Sequence, residues 1–253
     1  MPKTTTTKDE NPLMNLLINV IAPVIILSQM SKDSEKIAAK AWHLGPEKAM
    51  YIALSLPIGY GIYHFIKNRK LNIFSVVGAL SVLFTGVITM VIWNNDALRP
   101  QASLLFGIKE AVVPLLLGSL FLFTHKTQNP LFNAFIYNDG MFDIDKIESE
   151  IEAENAQPAY QKLLWNSTLL FFGSFVVSAV LNLLVAFYFL HGLEPDSINW
   201  KEEYNAAVAK VMGWGFLIIG APLLVIGGFI LYYLISGLKR LTHFELEGLL
   251  HKR

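Results

Sequence analysis

The sequence contains no cysteine and few charged residues. The absence of cysteine excludes disulfide bonds, thiolate metal sites and cysteine nucleophiles. Charged residues make up 16% of the 253 residues, whereas soluble domains contain about a quarter. The chain therefore lacks the polar surface that would coat a soluble globule of its size. Most of it is apolar instead: 53% of the residues are hydrophobic and the mean hydropathy is +0.45.

Several classes of function have no signal in the sequence. The formal net charge is zero, which argues against a nucleic-acid partner. There is no Walker loop, GxSxG or HExxH motif, so we expect no enzymatic activity and no cofactor. The six histidines are scattered, and no pair has metal-ligand spacing within an apolar block, so we expect no metal site.

The apolar residues come in blocks of about twenty, the length with which a helix crosses the hydrocarbon core of a bilayer. Reading these blocks between polar breaks predicts six spans, at residues 13–30, 47–66, 72–93, 104–124, 163–190 and 207–238. The last two are longer than a bilayer requires and should tilt or project into water. The predicted fold class is an all-α membrane protein, a bundle of six transmembrane helices.

The distribution of lysine and arginine between the loops predicts the orientation of the chain. Twelve of these residues fall on the side of both termini and six on the opposite side, so both termini are expected in the cytoplasm. The predicted organisation has a cytoplasmic N-terminal tail, two groups of transmembrane helices separated by a long cytoplasmic loop, and a cytoplasmic C-terminal tail: 1–12, 13–124 (helices 1–4), 125–162 (loop), 163–240 (helices 5 and 6) and 241–253.

An acidic amphipathic helix is predicted within the long loop. Ile144, Ile147 and Ile151 recur at helical spacing over residues 142–154, among six acidic side chains. The pattern fits a solvated linker helix, which would make residues 139–157 separable from the bundle. A docking site for a basic partner is the alternative, and the negative charge argues against anionic lipid.

Polar or helix-distorting residues fall three or four positions apart in every span, which places them on one face. Small and hydroxylated residues pack membrane helices closely, and prolines kink spans, so packing is one interpretation of this face. Broken helices also line central sites in transporters. Four spans carry a proline in the apolar interior, and these are the predicted kink positions: Pro23, Pro57, Pro114 and Pro222.

Lys109 and Glu110 introduce two charges into the fourth span. The stem of Lys109 is long enough to bring its ammonium to the outer interface. Glu110 is too short for that, so we expect it to be protonated or paired inside the bundle. Counting 1.5 Å per residue from the outer end of each span places Asn182 and Thr85 near the depth of Glu110, roughly 10 Å below the surface. The candidate intramembrane polar site comprises Glu110, Asn182, Thr85, Asn19 and Tyr60.

The segments "NPLFNAF" and "QKLLWNSTLLFFGSFVVSAVLNLLVAFYFL" resemble the bacterial inner-membrane septation protein A family. The matching positions lie in the fifth span: Trp165, Asn166, Phe171, Phe172, Asn182, Val185, Ala186 and Phe187. The resemblance implies a multi-pass protein of the bacterial inner membrane with a non-enzymatic role in envelope maintenance or division. It supplies no catalytic residues. The acidic 139–157 insert and the glutamate in the fourth span depart from the family.

Two hypotheses follow from these observations. The first is a non-enzymatic envelope protein that contacts membrane lipid and meets envelope or division proteins through its cytoplasmic loops. The second is a carrier for a small molecule, an ion or a lipid, using the polar site around Glu110. "NVIAPVIIL" in the first span and "EAVVPLLLG" in the fourth share a small-apolar-Pro-apolar core. This internal similarity raises the alternative of two inverted three-helix units, the arrangement of many carriers.

Overall fold

The computed structural model describes residues 12–33, 40–68 and 73–251. The predicted N-terminal tail therefore lies outside the described residues, apart from Pro12. The described residues form helices and no strand; an isolated antiparallel bridge joins Phe142 to Leu250. In chain order the helices are α1 (residues 12–30), α2 (Pro46–Asn68), α3 (Ile73–Trp93), a 3₁₀ turn (Asp96–Gln101), α4 (Ala102–Thr124), α5 (Leu131–Phe135), α6 (Ile144–Ala153), α7 (Gln157–Leu190), α8 (Trp200–Thr242) and α9 (Leu246–Leu249).

Among the described residues, four helical segments are long and apolar enough to cross a membrane: Pro46–Lys67, Asp96–Thr124, Gln157–Leu190 and Trp200–Thr242. Two further apolar segments, Leu17–Met30 and Ser81–Trp93, lie within α1 and α3. Large aliphatic side chains on these helices face outward, as in α8, where Leu224 and Val225 are 79% and 75% exposed. An outward apolar surface of this kind is stable against lipid rather than water. The chain is a membrane protein, and the part of it that the structure describes is all-helical.

Helix α1 alternates between two hydrogen-bonding patterns. It is α-helical over Pro12–Leu16 and Ala22–Ile25, and π-helical over Leu17–Ile21 and Ile26–Met30. Pro23 has no N–H to donate, and just before it the Ala22 N–H reaches back five residues to the Leu17 carbonyl. Pro57, Pro114 and Pro222 behave differently, because each lies inside a continuous α-helix.

The chain divides into two compact units. Unit 1 comprises Met1–Glu110 with Asn182–Ile218, and unit 2 comprises Ala111–Leu181 with Ile219–Arg253. Unit 1 holds α1 to α3 and the adjoining parts of α4, α7 and α8. Its buried side chains include Leu27, Ala53, Phe106, Tyr204 and Val208.

In unit 2 the long loop and the C-terminal segment form one folded element, which we call the loop–tail cap (residues 131–156 and 243–251). The Asp143 N–H donates to the Leu249 carbonyl over 3.0 Å, and the His251 N–H donates to the Met141 carbonyl over 3.1 Å. The Lys146 ammonium donates to the Gly248 carbonyl over 3.1 Å and lies over the Phe244 ring.

The cap has its own apolar interior, which is continuous with the bundle. Its side chains and those of the adjoining helices form one buried cluster: Phe121, Phe132, Tyr137, Phe142, Ile147, Ile151, Tyr160, Leu163, Leu164, Leu234, Leu238 and Leu249. Asp143 caps the N-terminus of α6 by accepting from the Lys146 N–H. Ile147 and Ile151 are 0% exposed.

This packing contradicts the prediction that residues 139–157 are a separable, solvated element. The isoleucine stripe of α6 is narrow, but it packs in one cluster with aromatic side chains from the start of the loop and with Leu249 from the tail. Burial of this combined surface holds the acidic helix on the bundle.

Close helix packing in unit 2 depends on two glycines. A Cβ on Gly237 of α8 would lie 2.3 Å from the Leu163 side chain of α7, and one on Gly118 of α4 would lie 2.7 Å from Phe175 Cβ. Both helices therefore approach α7 more closely than any larger residue allows.

Candidate functional site

Lys109 is a buried cation in α4, with 4% of its side chain exposed. Its ammonium donates to Thr85 Oγ1 of α3 over 2.5 Å and forms an ion pair with Glu110 Oε1. It also lies 4.8 Å from the centre of the Phe106 ring. An acceptor, a counter-ion and an aromatic face together replace the water that the ammonium has lost.

Local sequence positions each member of this site. Ala102, Phe106 and Lys109 follow one another at spacings of four and three, so they share the buried face of α4. The Thr85 hydroxyl donates to the Ser81 carbonyl of its own helix over 2.9 Å. That bond fixes the hydroxyl rotor, which turns an oxygen lone pair toward Lys109.

The prediction that Lys109 reaches the outer interface is wrong. The side chain turns inward because partners for its ammonium are available inside the bundle, whereas the stem alone would suit either direction. Glu110 is the more exposed member, at 23%. Adjacent residues diverge by about a hundred degrees round a helix, yet these two side chains are long enough to bend together.

Of the five predicted site residues, the structure brings Thr85 and Glu110 together, with Lys109 between them. Asn19, Tyr60 and Asn182 are half-buried, and each has an interaction partner. Within the described residues, the direct partners of Lys109 are Thr85, Glu110 and Phe106.

An aromatic layer that the sequence did not single out adjoins the ion pair. The Phe106 ring meets the Tyr204 ring of α8 edge-on at 6.4 Å, and Tyr204 stacks on Trp200 at 5.1 Å. The Tyr204 hydroxyl shares a 3.4 Å hydrogen bond with Thr89 of α3. Trp200, Tyr204 and Val208 recur at intervals of four, and this spacing could have predicted the buried face of α8 from the sequence.

Asn205 ties the start of α8 to the chain around α1 and α2. Its amide group donates to Ser31 Oγ and to the Pro46 carbonyl, each over 2.8 Å. These bonds and the aromatic layer hold the helix ends around the ion pair in fixed positions.

Titratable groups of unit 2 outside the spans respond to burial. Burial lowers the pKa of His125 from 6.5, and the adjacent Lys126 charge lowers that pKa further. The His125 ring lies 3.1 Å from Thr168 Oγ1. Burial also raises the pKa of Tyr137 in the cap, and the hydrogen bond between the Tyr137 and Tyr160 hydroxyls adds to that shift.

The arrangement around Lys109 can hold a fixed charge pair or exchange one of its partners for an ion or a polar group. In the part of the chain that the structure describes, no three His, Asp or Glu side chains are grouped so as to hold a metal ion. Comparison of the chain with protein-family models, curated proteins and solved structures gave no match.

Proposed function

We propose that this chain is a non-enzymatic, multi-pass protein of the bacterial inner membrane, of the septation protein A type, which acts in envelope maintenance or division. The sequence resemblance in the fifth span supports the family. The loop–tail cap supports a role in protein contacts, because it is a folded surface rather than a loose linker.

The single observation that carries this proposal is the division of α6 into two faces. Ile147 and Ile151 are fully buried in the cap, while Asp145, Glu152 and Glu154 on the same helix or at its end are exposed. Because the isoleucines fix the rotation of the helix, the carboxylates are presented outward in a defined pattern. That pattern suits a basic partner in the cytoplasm.

The test is complementation in a bacterium that lacks the protein. The double variant Glu152→Gln/Glu154→Gln should accumulate in the membrane with an unchanged melting temperature but fail to restore envelope integrity and cell length. The matched control, Glu194→Gln/Glu203→Gln, removes two exposed carboxylates from another part of the chain and should restore both. Full rescue by the first variant would show that the acidic face has no part in the function.

We further propose six spans with both termini in the cytoplasm. The four long apolar helices, together with the apolar segments of α1 and α3, support six spans, and the lysine and arginine distribution supports the orientation. Because the chain has no cysteine, single cysteines report without background. A cysteine at Lys40 should react with an impermeant reagent outside the cell, and one at Asp145 should not. Reaction at Asp145 and none at Lys40 would show that the chain has the opposite orientation.

A carrier for a small molecule, an ion or a lipid is the second candidate. The buried Lys109–Glu110 pair favours it, since charges inside a membrane bundle usually belong to transport or coupling sites. The internal echo between the first and fourth spans, which fits two inverted three-helix units, also supports it.

Glu110→Gln tests the carrier hypothesis, because it keeps the shape and the hydrogen bond but removes the charge. For a carrier, this variant should accumulate in the membrane, with a lowered melting temperature because the buried ammonium loses its counter-ion, and fail to rescue. If Glu110→Gln rescues fully, the pair is structural and the carrier hypothesis fails. Trp214→Phe, a conservative change at an exposed position of α8, is the control and should rescue.

A further inference from the structure

The end of α4 and the first turns of α7 form an exposed surface in unit 2 that changes from apolar to cationic. Phe123 and Leu169, which belong to the apolar spans, are 79% and 40% exposed. Lys126 lies just beyond the end of α4, and Lys162 lies about two turns before Leu169. A change of this kind marks the level of the lipid head groups. We call the following side chains the basic aromatic surface: Phe123, His125, Lys126, Lys162, Trp165 and Leu169.

A pair of rings joins the two helices at this level. The centres of the His125 and Trp165 rings lie 4.8 Å apart, and His125 Nδ1 lies 3.1 Å from Thr168 Oγ1 of α7. These contacts fix the end of α4 against the start of α7. Lys126 follows His125 directly, and Lys162 is one helical turn before Trp165, so each ammonium group belongs to a neighbour of one of the two rings.

The two ammonium groups of this surface have no counter-ion in the protein. Among the described residues, neither Lys126 nor Lys162 makes an ion pair or a hydrogen bond, and both side chains are exposed. The charge of Lys126 acts on its neighbour: after burial, it is the second cause of the lowered pKa of His125. Other lysines of the chain are paired with carboxylates, as Lys239 is with Glu245. The basic aromatic surface therefore lacks negative charge.

The acidic side chains of the loop–tail cap contact a different side of α7. The Tyr160 hydroxyl donates to Glu148 of α6 over 3.4 Å. Tyr160 is two positions before Lys162, which directs their side chains about 200° apart round the helix. The last carbonyl of α4 is also engaged, because the Thr124 oxygen accepts from the N–H and the hydroxyl of Thr127 over 3.0 and 2.7 Å. An anion beside the two lysines thus meets donors.

We propose that the basic aromatic surface binds the head group of an anionic phospholipid. The phosphate accepts from the Lys126 and Lys162 ammonium groups, and the amphipathic indole of Trp165 lies at the boundary between head group and acyl chain. Phe123 and Leu169 contact the acyl chains. This lipid site goes beyond the envelope role proposed above and does not depend on it.

The test measures lipid binding to the purified full chain in detergent by calorimetric titration. The probes are a short-chain phosphatidylglycerol, the phosphatidylethanolamine with the same acyl chains, and glycerol 3-phosphate. We expect saturable binding of phosphatidylglycerol, about tenfold tighter than that of either other probe. No saturable binding, or equal binding of the two lipids, would overturn the proposal. Equal binding of glycerol 3-phosphate would assign the surface to a soluble anion and would also overturn it.

A pair of lysine variants locates the binding. Lys126→Gln/Lys162→Gln removes two exposed and unpaired charges, so it should melt at the wild-type temperature in lipid-free detergent. It should weaken phosphatidylglycerol binding about thirtyfold, the combined contribution of two lysines near a head group. The matched control, Lys48→Gln/Lys210→Gln, removes two exposed lysines from unit 1 and should bind as the wild type does.

Charge reversal gives a second measure at the same positions. Lys126→Glu/Lys162→Glu should abolish saturable binding of phosphatidylglycerol over the concentrations at which the wild type saturates. The proposal fails if either Lys126/Lys162 variant binds phosphatidylglycerol as tightly as the wild type. It also fails if the Lys48/Lys210 control loses as much affinity as the glutamine variant, because binding would then follow the total charge of the chain rather than this surface.

Discussion

Replacing Lys109 by methionine removes the cation of the buried pair and leaves the Glu110 carboxylate behind. Loss of one member of a buried ion pair costs about 3–5 kcal/mol of the free energy of unfolding. Glu110 is 23% exposed, so water can hydrate the remaining charge, and we expect a cost near the lower limit, about 3 kcal/mol. Glu110→Leu leaves an ammonium that is 4% exposed and should cost more, about 4–5 kcal/mol.

The double variant Lys109→Met/Glu110→Leu separates burial of charge from loss of packing. It removes both charges and fills the same volume with apolar groups, an exchange that is often neutral in protein interiors. We expect its free energy of unfolding to lie within about 1 kcal/mol of the wild type. The two single costs should therefore be strongly non-additive.

The measurement is equilibrium unfolding in mixed micelles, followed by tryptophan fluorescence. Lys210→Met is the matched control, because Lys210 is an exposed lysine of α8, and it should change the free energy by less than about 0.5 kcal/mol. The reasoning is refuted if Lys109→Met is as mild as this control. It is also refuted if the cost of the double variant equals the sum of the single costs.

Three further outcomes test the fold. Ile147→Ala should lower the free energy of unfolding by about 2–5 kcal/mol through a cavity in the cap, whereas Ile198→Ala, at a fully exposed position, should leave it unchanged in the same assay. Gly237→Ala should lower the melting temperature because its methyl group meets a leucine side chain, while Gly228→Ala, with open space around it, should not. The lowered pKa of His125 favours the neutral ring in the folded state, so stability should fall as the pH drops through 6.5 toward the folded-state pKa. His125→Gln should flatten the dependence of stability on pH in melting curves recorded between pH 5 and 8. If the slope is unchanged, another group causes the pH dependence.

The apolar segments were predictable because membrane thickness sets one length scale for every span. The ends of the helices that contain these segments were less predictable. α7 begins at Gln157 and α8 at Trp200, several residues before the predicted positions 163 and 207. The added turns carry Tyr160 and Tyr204, which are buried by neighbouring segments that local hydropathy does not register.

The candidate site could be predicted only in part. Glu110 and Thr85 were identified because polar groups inside a span are costly and need partners. The direction of Lys109 was not predictable from its own helix, since it depends on a hydroxyl of α3 that is 24 residues away in sequence.

The cap was missed because no single segment of it looks like a core. Phe132, Ile147 and Leu249 come from three separate stretches of the chain, and each stretch alone has a narrow apolar face. Only their combination excludes water, and periodicity within one segment carries no information about the others.

The contacts between loop and tail in the loop–tail cap constrain the order of events during biosynthesis. Lys146 and its partner Gly248 are 102 residues apart, and both α7 and α8 lie between them. The loop is translated before those two helices exist, so its aromatic and isoleucine side chains remain uncovered while α7 and α8 are made and inserted. During that interval the nascent loop is a substrate for holding chaperones and proteases, and the cap closes only when the tail has emerged.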